Sequence, residues 1–329
     1  MPSSEVVHVL AASDPVAALT EAARTGRLVA LGTSGTSGRP RTIVRTTDSW
    51  VGSFPVVSAL TGTTSGSRVH VPGPVTATMN LFAAAHARWA GATMVDDLTD
   101  ATHAHLTPTA LRRVLATRPQ SLTGTHVVVA GDRVDAATRD RVLAVGGGLS
   151  HYYGAAELSF VAWGEHADAL SPFPGVEVAA HDGELWVRSP YLCRGYLEPE
   201  HELRTRPGGW VCVGDRGTVR DGRVLVHGRE GGITTAGATV TAADVEQVLR
   251  PHAEGEVVVV GLPHGELGEV VACALTVASD VERLRAVARA ELTTAQRPRR
   301  WHHLETMPVT AHDKVDRRAV RETLAASPS

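Results

Sequence analysis

The chain is expected to fold as an α/β protein: a large first part on a mixed, mostly parallel sheet, then a small α+β tail. Three features of the 329 residues carry that expectation. Strand-like and helix-like segments alternate up to about residue 150, the order that lays helices on the faces of a parallel sheet. After about residue 175 short strands are joined by Asp-Gly turns, the mark of antiparallel hairpins. Beyond Gly231-Gly232, a soft point in the chain, helices and apolar strands resume in a compact segment of about 95 residues.

Each element has its own reason. Asp14-Pro15 opens VAALTEAARTG as a capped helix with proline at its first position, and Gly26 stops it. RLVAL is a buried strand that runs directly into GTSGTSGRPR, residues 32–41. TPTALRRVLATRP sets Leu111, Val114 and Leu115 at helical spacing. HVVVAGD is a short buried strand, and VDAATRDRVLAVGGG is a helix ended by glycines. GVEVAAHDGELWVRSP and GTVRDGRVLVHGRE are hairpins that turn at Asp-Gly. In the tail, TVTAADVEQVL carries a capping box from Thr241 to Asp244. EVVVVGLP and VVACALTV are apolar strands, DVERLRAVARAEL is a helix, and a last helix follows Lys314. The expected domains are residues 1–230 and 231–329.

Composition narrows the function classes. A hydrophobic share of 43% is ordinary for a globular protein, and a net charge of -3 gives no sign of a nucleic-acid or anionic-membrane partner. No apolar stretch approaches the roughly 20 residues that span a bilayer. Cys193, Cys212 and Cys273 stand far apart, which fits a reducing compartment better than a disulfide framework or a zinc site. The start MPSSEVVHVLAASD lacks a secretion pattern, so a cytoplasmic location is expected. The 16 histidines follow no metal-ligand spacing.

Four motifs could carry chemistry. The glycines of GTSGTSGRPR let backbone N–H groups turn inward, and its Ser and Thr add hydroxyl donors, so the loop suits phosphate; an ordinary linker is the plain alternative. In HYYGAAELS, residues 151–159, an aromatic beside glycine could stack on a base and Glu157 could hold a metal; a core tyrosine is the alternative. In GWVCVGDRGTVRDGRVLVHGRE, Asp215 could accept from a ribose diol and Arg229 follows a strand; a solvent-facing hairpin with routine charges is the alternative. Finally, Lys314 in VTAHDKVDRRAV is the only lysine, all other basic residues being arginine. An ammonium is a compact point charge where a guanidinium is a broad fork, so a developing oxyanion is a reason to keep lysine at one place.

Taken in order, these motifs resemble the adenylate-forming superfamily of acyl-CoA synthetases, peptide-synthetase adenylation domains and luciferases. GELWVRSPYLCRGYL and VVVVGLPHGELGEVVACALTV match further stretches, and the resemblance covers nearly the whole chain from residue 28. It implies an α/β N-terminal domain with a small antiparallel region, then a mobile α+β C-terminal lid. It implies that Thr33, Ser34, Gly35, Thr36, Ser37 and Gly38 clasp ATP phosphates, with Arg41 where the family has lysine. His151, Tyr152, Tyr153 and Gly154 would line the adenine, with Tyr153 packed against it, and Glu157 would bind Mg²⁺. Asp215 would hold the ribose with Arg229 nearby. Lys314 would reach the carboxylate and α-phosphate, and Gly237 would let the pantetheine arm of CoA pass. Gly131, Ala155, Ala156 and Phe160 are expected acid-pocket walls.

The chain departs from the family pattern in several places. Almost all of the usual subdomain before the phosphate loop is missing, a compactness that resembles short actinobacterial o-succinylbenzoate-CoA ligases; a homodimer or partner subunit would replace the lost walls. Ala156 stands where Thr or Ser is usual, and His151 replaces a common asparagine. VPGPVTATMN lacks an expected histidine, and Gly231-Gly232 replaces the usual hinge residue. The expected activity is ATP- and Mg-dependent activation of a carboxylic acid, then transfer to CoA. The alternatives are transfer to a carrier protein or an amine, and a non-catalytic nucleotide-binding relative.

Overall fold

The structure, a computed structural model, describes residues 6–32, 41–229, 232–235, 238–310 and 314–326, with the backbone alone at 229 and 239. It forms two compact units: Met1–Val213 with Gly217–Val226, and Gly214–Arg216 with His227–Ser329.

The first unit is built on a seven-stranded sheet. Its order is Ser171–Pro172, Ser159–Gly164, Gly148–Ala155, His126–Val129, His103–Leu106, Arg68–His70 and Thr93–Val95. The last five strands run parallel, Ser159–Gly164 runs against them, and Ser171–Pro172 is antiparallel to Ser159–Gly164. Parallel strands need crossovers, and the helices Pro108–Thr117 and Ala136–Ala144 supply two of them. Each begins on a side-chain cap: Thr107 accepts from the Ala110 amide at 3.1 Å, and Asp135 from that of Thr138 at 2.6 Å. Leu111, Val114 and Leu115 pack on Val127, Val129 and Leu149, as their spacing predicts.

A four-stranded sheet beside it orders Val6–His8, Leu28–Gly32, Thr42–Thr46 and Gly195–Tyr196. Leu28–Gly32 pairs antiparallel with Thr42–Thr46, so the Gly/Ser/Thr loop connects two neighbouring strands. The helix Pro15–Thr25 stands as expected: Asp14 accepts from the Ala17 amide at 2.9 Å, and Gly26 is left-handed with φ 67°. Both Asp-Gly turns form as expected, with φ 54° and 77° at Asp182-Gly183 and 50° and 72° at Asp221-Gly222. Those values match the right-handed twist of the hairpins they close.

In the second unit, Val257–His264 and Gly268–Leu275 pair along their whole length. Alternate residues point to opposite faces, which explains why both segments read as unbroken apolar runs. One face packs Val257, Val259, Val271 and Cys273 against Val245, Leu249 and Leu284. The other packs Val258, Val260, Val270 and Ala272 against Val320 and Leu324 of the final helix Arg317–Ala326. One expectation is corrected here. Thr241 precedes the helix Ala242–Leu249, but its hydroxyl makes no capping bond. The Asp244 amide that a capping hydroxyl needs donates to the Thr241 carbonyl at 3.1 Å instead.

Three buried histidines and one half-buried one form a polar layer in the first unit. His103 and His105 alternate with Ala104 and Leu106, His126 pairs in register with His103, and His86 comes from the helix Thr78–Trp89. The His103 Nε2–H donates to the Thr61 carbonyl at 3.0 Å, so its Nδ1 accepts from the Thr102 hydroxyl at 2.9 Å. His86 Nε2 meets Ser58 Oγ at 2.8 Å, and His126 Nε2 meets Ser150 Oγ at 2.9 Å. Burial pulls His86 down to about 4 and His105 to about 3, neighbouring imidazoles adding to both. The unfolded chain therefore takes up protons first, and stability falls as pH drops from about 6.5 toward 4. At pH 5 each of these two residues is expected to cost about 2 kcal/mol. Melting temperature against pH tests this. His86→Gln should flatten the slope, and a melting temperature unchanged between pH 7 and 5 would contradict it.

Among the described residues no helix is long and apolar enough to cross a membrane.

Candidate active site

The strand Gly148–Ala155 delivers the Tyr-Gly-Ala-Ala-Glu stretch at the carboxyl end of the parallel strands, where open α/β sheets place ligands. Gly154 is required by the backbone: a Cβ there would lie 2.2 Å from the Ser159 carbonyl oxygen. Ladder register breaks between Tyr153 and Gly154, and the chain turns back with the Leu158 amide donating to Ala155 at 3.1 Å. Leu158 is fully buried in the core and anchors the turn. Beside it, Glu157 is only 5% exposed, and its carbonyl accepts from the Cys193 amide at 2.8 Å.

The Glu157 carboxylate is held from another sheet. The Tyr196 hydroxyl donates to Glu157 Oε1 at 2.9 Å. Burial and the neighbouring carboxylate push that hydroxyl up to about 12, so it serves as a donor at neutral pH. Tyr196 lies on the short strand that pairs with Thr42–Thr46, opposite Ile43. The Arg41 guanidinium stands 5.7 Å from the Tyr196 ring centre. Glu198 then accepts twice from the Thr42 amide, at 3.1 and 3.0 Å. Across the hairpin, Thr78 Oγ1 donates to the Gly32 carbonyl at 2.8 Å. Both ends of the Gly/Ser/Thr loop are thereby pinned, while Thr33, Ser34, Gly35, Thr36, Ser37 and Gly38 lie outside the described residues.

The other expected site residues separate by face and by unit. His151 is buried, donates from Nδ1 to the Val129 carbonyl at 3.1 Å, and is pulled down to about 4 by desolvation. Tyr152 turns the opposite way and stacks on Trp163 with ring centres 5.6 Å apart. Tyr153 is half-buried, as are Ala155 and Ala156. Gly131 follows the strand His126–Val129 with φ 102°. Phe160 is buried and packs on Tyr152 at 4.6 Å and on Phe82 and Phe173 at 4.9 Å. Asp215 is buried at the start of the strand Asp215–Arg220, after Gly214 with φ 83°. Asp215, Arg229 and Lys314 belong to the second unit. The side chain of Arg229 and all of Gly237 lie outside the described residues.

The Lys314 carbonyl accepts from the Thr310 amide at 2.7 Å beside the bridge Val309–Val315. Three residues on stands Arg317. Its guanidinium meets Glu246 Oε2 at 2.8 Å and donates to the Val259 carbonyl at 3.0 Å.

The sequence reasoning assigned no role to Tyr196, Arg45 or Glu246. Each left a faint trace: a Gly-Tyr pair after a hairpin, a charge inside the apolar strand TIVRT, and a glutamate on the inner face of an amphipathic helix.

A metal ion fits Glu157 chemically. The carboxylate is buried, one oxygen is fixed by Tyr196, and among the described residues no hydrogen bond reaches Oε2. No group of three or more acidic, histidine or cysteine side chains among those residues forms a metal cage. A single carboxylate suits Mg²⁺, which completes its shell with substrate phosphates and water.

These two units have known counterparts among acyl–CoA ligases and a related synthetase. Among curated proteins it is similar to the uncharacterized acyl–CoA ligase YhfT of Bacillus subtilis, 25% identical over 331 residues, 90% of this chain and 68% of that one. It is also similar to the 2-succinylbenzoate–CoA ligase of Escherichia coli, 26% identical over 232 residues, 68% of this chain and 51% of the relative. Among solved structures, the amide bond synthetase McbA from Marinactinospora thermotolerans matches with a TM-score of 0.76 at 27% identity, over 90% of this chain and 69% of that one. No family model matches the chain.

Proposed function

We propose that the chain activates a carboxylic acid with ATP and transfers the acyl group to CoA. A carboxylate oxygen attacks the α-phosphorus, the bond to the bridging oxygen breaks, and pyrophosphate leaves. The CoA thiol then attacks the acyl carbon and AMP departs. The observation that carries this reading is the buried Glu157 carboxylate, held by Tyr196 on the Tyr-Gly-Ala-Ala-Glu turn of a chain similar to acyl–CoA ligases.

The remaining roles follow the motif order. Thr33 to Gly38 and Arg41 bind the phosphates, Tyr153 packs against adenine, and Asp215 accepts from the ribose hydroxyls with Arg229 nearby. Glu157 holds Mg²⁺, which neutralises phosphate charge. Lys314 supplies a positive charge to the oxygens that become more negative as pyrophosphate departs. Gly237 leaves room for the pantetheine arm, and Gly131, Ala155 and Ala156 face the acid. The cytoplasm, which keeps Cys193, Cys212 and Cys273 as free thiols, is the proposed location.

The test is acid-dependent ATP–pyrophosphate exchange over a broad panel of carboxylic acids, with 2-succinylbenzoate and aryl acids first. Exchange with some acids is the expected result. ATP binding without exchange on any acid would favour the non-catalytic alternative. A second acceptor deserves the same panel: the amide bond synthetase among the structural neighbours supports an amine in place of the thiol. Acyl-adenylate that persists with CoA present but disappears with an amine or a carrier protein would replace the CoA assignment.

A further inference from the structure

Arg45 is an unusual residue to find where it is. It lies mid-strand in Thr42–Thr46 with 1% exposure, on the same face as the core residue Ile43. One guanidinium nitrogen donates to the Tyr191 carbonyl at 2.8 Å, and the group stands 5.8 Å from the Trp50 ring centre. Its Nε is buried with no hydrogen-bond partner among the described residues. Burial pulls the guanidinium down to about 10, so it remains a cation at neutral pH. A buried cation is costly without a nearby anion. The bond of Arg45 to the Tyr191 carbonyl ties it to the segment 191–196, whose Cys193 amide donates to the Glu157 carbonyl at 2.8 Å.

Tyr196 reaches the same carboxylate from the same pair of strands. The pairing Gly195↔Val44 and Tyr196↔Ile43 fixes its ring against the strand that carries Arg45. One short sheet edge therefore carries both the hydroxyl donor to Glu157 and the buried cation that holds the Tyr191 carbonyl. Arg41, the first described residue after the phosphate loop, stands over the Tyr196 ring.

We propose that Tyr196 and Arg45 are positioning residues for Glu157: the hydroxyl fixes Oε1 and leaves Oε2 for a divalent cation, while the buried guanidinium holds the Tyr191 carbonyl of the segment that carries Tyr196. The inference rests on Glu157 being the metal-holding residue. Through Arg41 the same tyrosine ties the exit of the phosphate loop to that residue.

The experiment measures Mn²⁺ binding by electron paramagnetic resonance, in the presence of a non-hydrolysable ATP analogue, on the full chain and four variants. Tyr196→Phe removes one hydroxyl and keeps the ring in its place, and should weaken Mn²⁺ binding about tenfold. Arg45→Met should weaken it by a similar factor, and Arg45→Lys should restore part of the loss. Thermal unfolding of each variant identifies any that fail to fold, and Tyr196→Phe alone suffices if Arg45→Met is one of them. Glu157→Gln separates the two levels. If it leaves Mn²⁺ affinity unchanged, the metal-ligand assignment falls and takes the positioning roles with it. If it weakens binding while Tyr196→Phe binds like the unaltered chain, the positioning role alone is overturned.

Discussion

Lys314→Ala is expected to lower acid-dependent ATP–pyrophosphate exchange by about 10²–10³-fold, the loss seen when one charge-stabilising donor is removed from a reaction centre. The effect should fall on the rate and leave ATP binding nearly unchanged, because the charge acts on oxygens whose negative character grows as pyrophosphate leaves. Lys314→Arg should not rescue it. The chain uses arginine at every other basic position, so composition puts no barrier against a guanidinium here. A planar fork cannot place a single compact charge as an ammonium does. Exchange rates for both variants at saturating acid decide the matter, and full activity in Lys314→Arg would remove the chemical reason for the lone lysine.

Glu246→Ala is expected to destabilise the second unit by about 3–5 kcal/mol. Glu246 is 1% exposed and serves four donors. The Val259 amide reaches Oε1 at 2.7 Å, and Arg250 and Arg317 each reach Oε2 at 2.8 Å. Arg317 adds a bond to Oε1 at 2.5 Å. Removing the carboxylate leaves two guanidiniums and a buried amide without their shared acceptor. The final helix is held through Arg317, so the backbone at Lys314 should loosen with it. Hydrogen exchange across residues 257–275, together with the melting temperature, reads the effect. A change below about 1 kcal/mol would show that water replaces the carboxylate at no great cost. Glu246→Gln, which keeps the shape and one acceptor, should fall between the two.

Local chemistry was legible in the sequence. Asp14 and Gly26 bound the first helix, both Asp-Gly pairs close hairpins with positive φ, and alternating strand and helix patterns yield a parallel sheet. Each depends on residues a few positions apart, so a linear reading reaches it. The same reading overstated one local feature. Thr241 has the sequence of a capping box, but the amide it would serve bonds to its own carbonyl.

By itself the sequence determined the order of the motifs, the class of fold and the place of the one lysine. Only the tertiary structure decided what holds the functional side chains. Glu157 meets a tyrosine 39 residues away, Arg45 a carbonyl 146 residues away, and Arg317 a glutamate 71 residues away. Such partners are chosen by strand register and by which face of a helix is buried, and a one-residue slip in register would turn every side chain of the strand to the other face. The histidine layer shows the same division. Its members read as scattered polar residues, and they become a pH-sensitive core because two parallel strands and one helix bury them against each other.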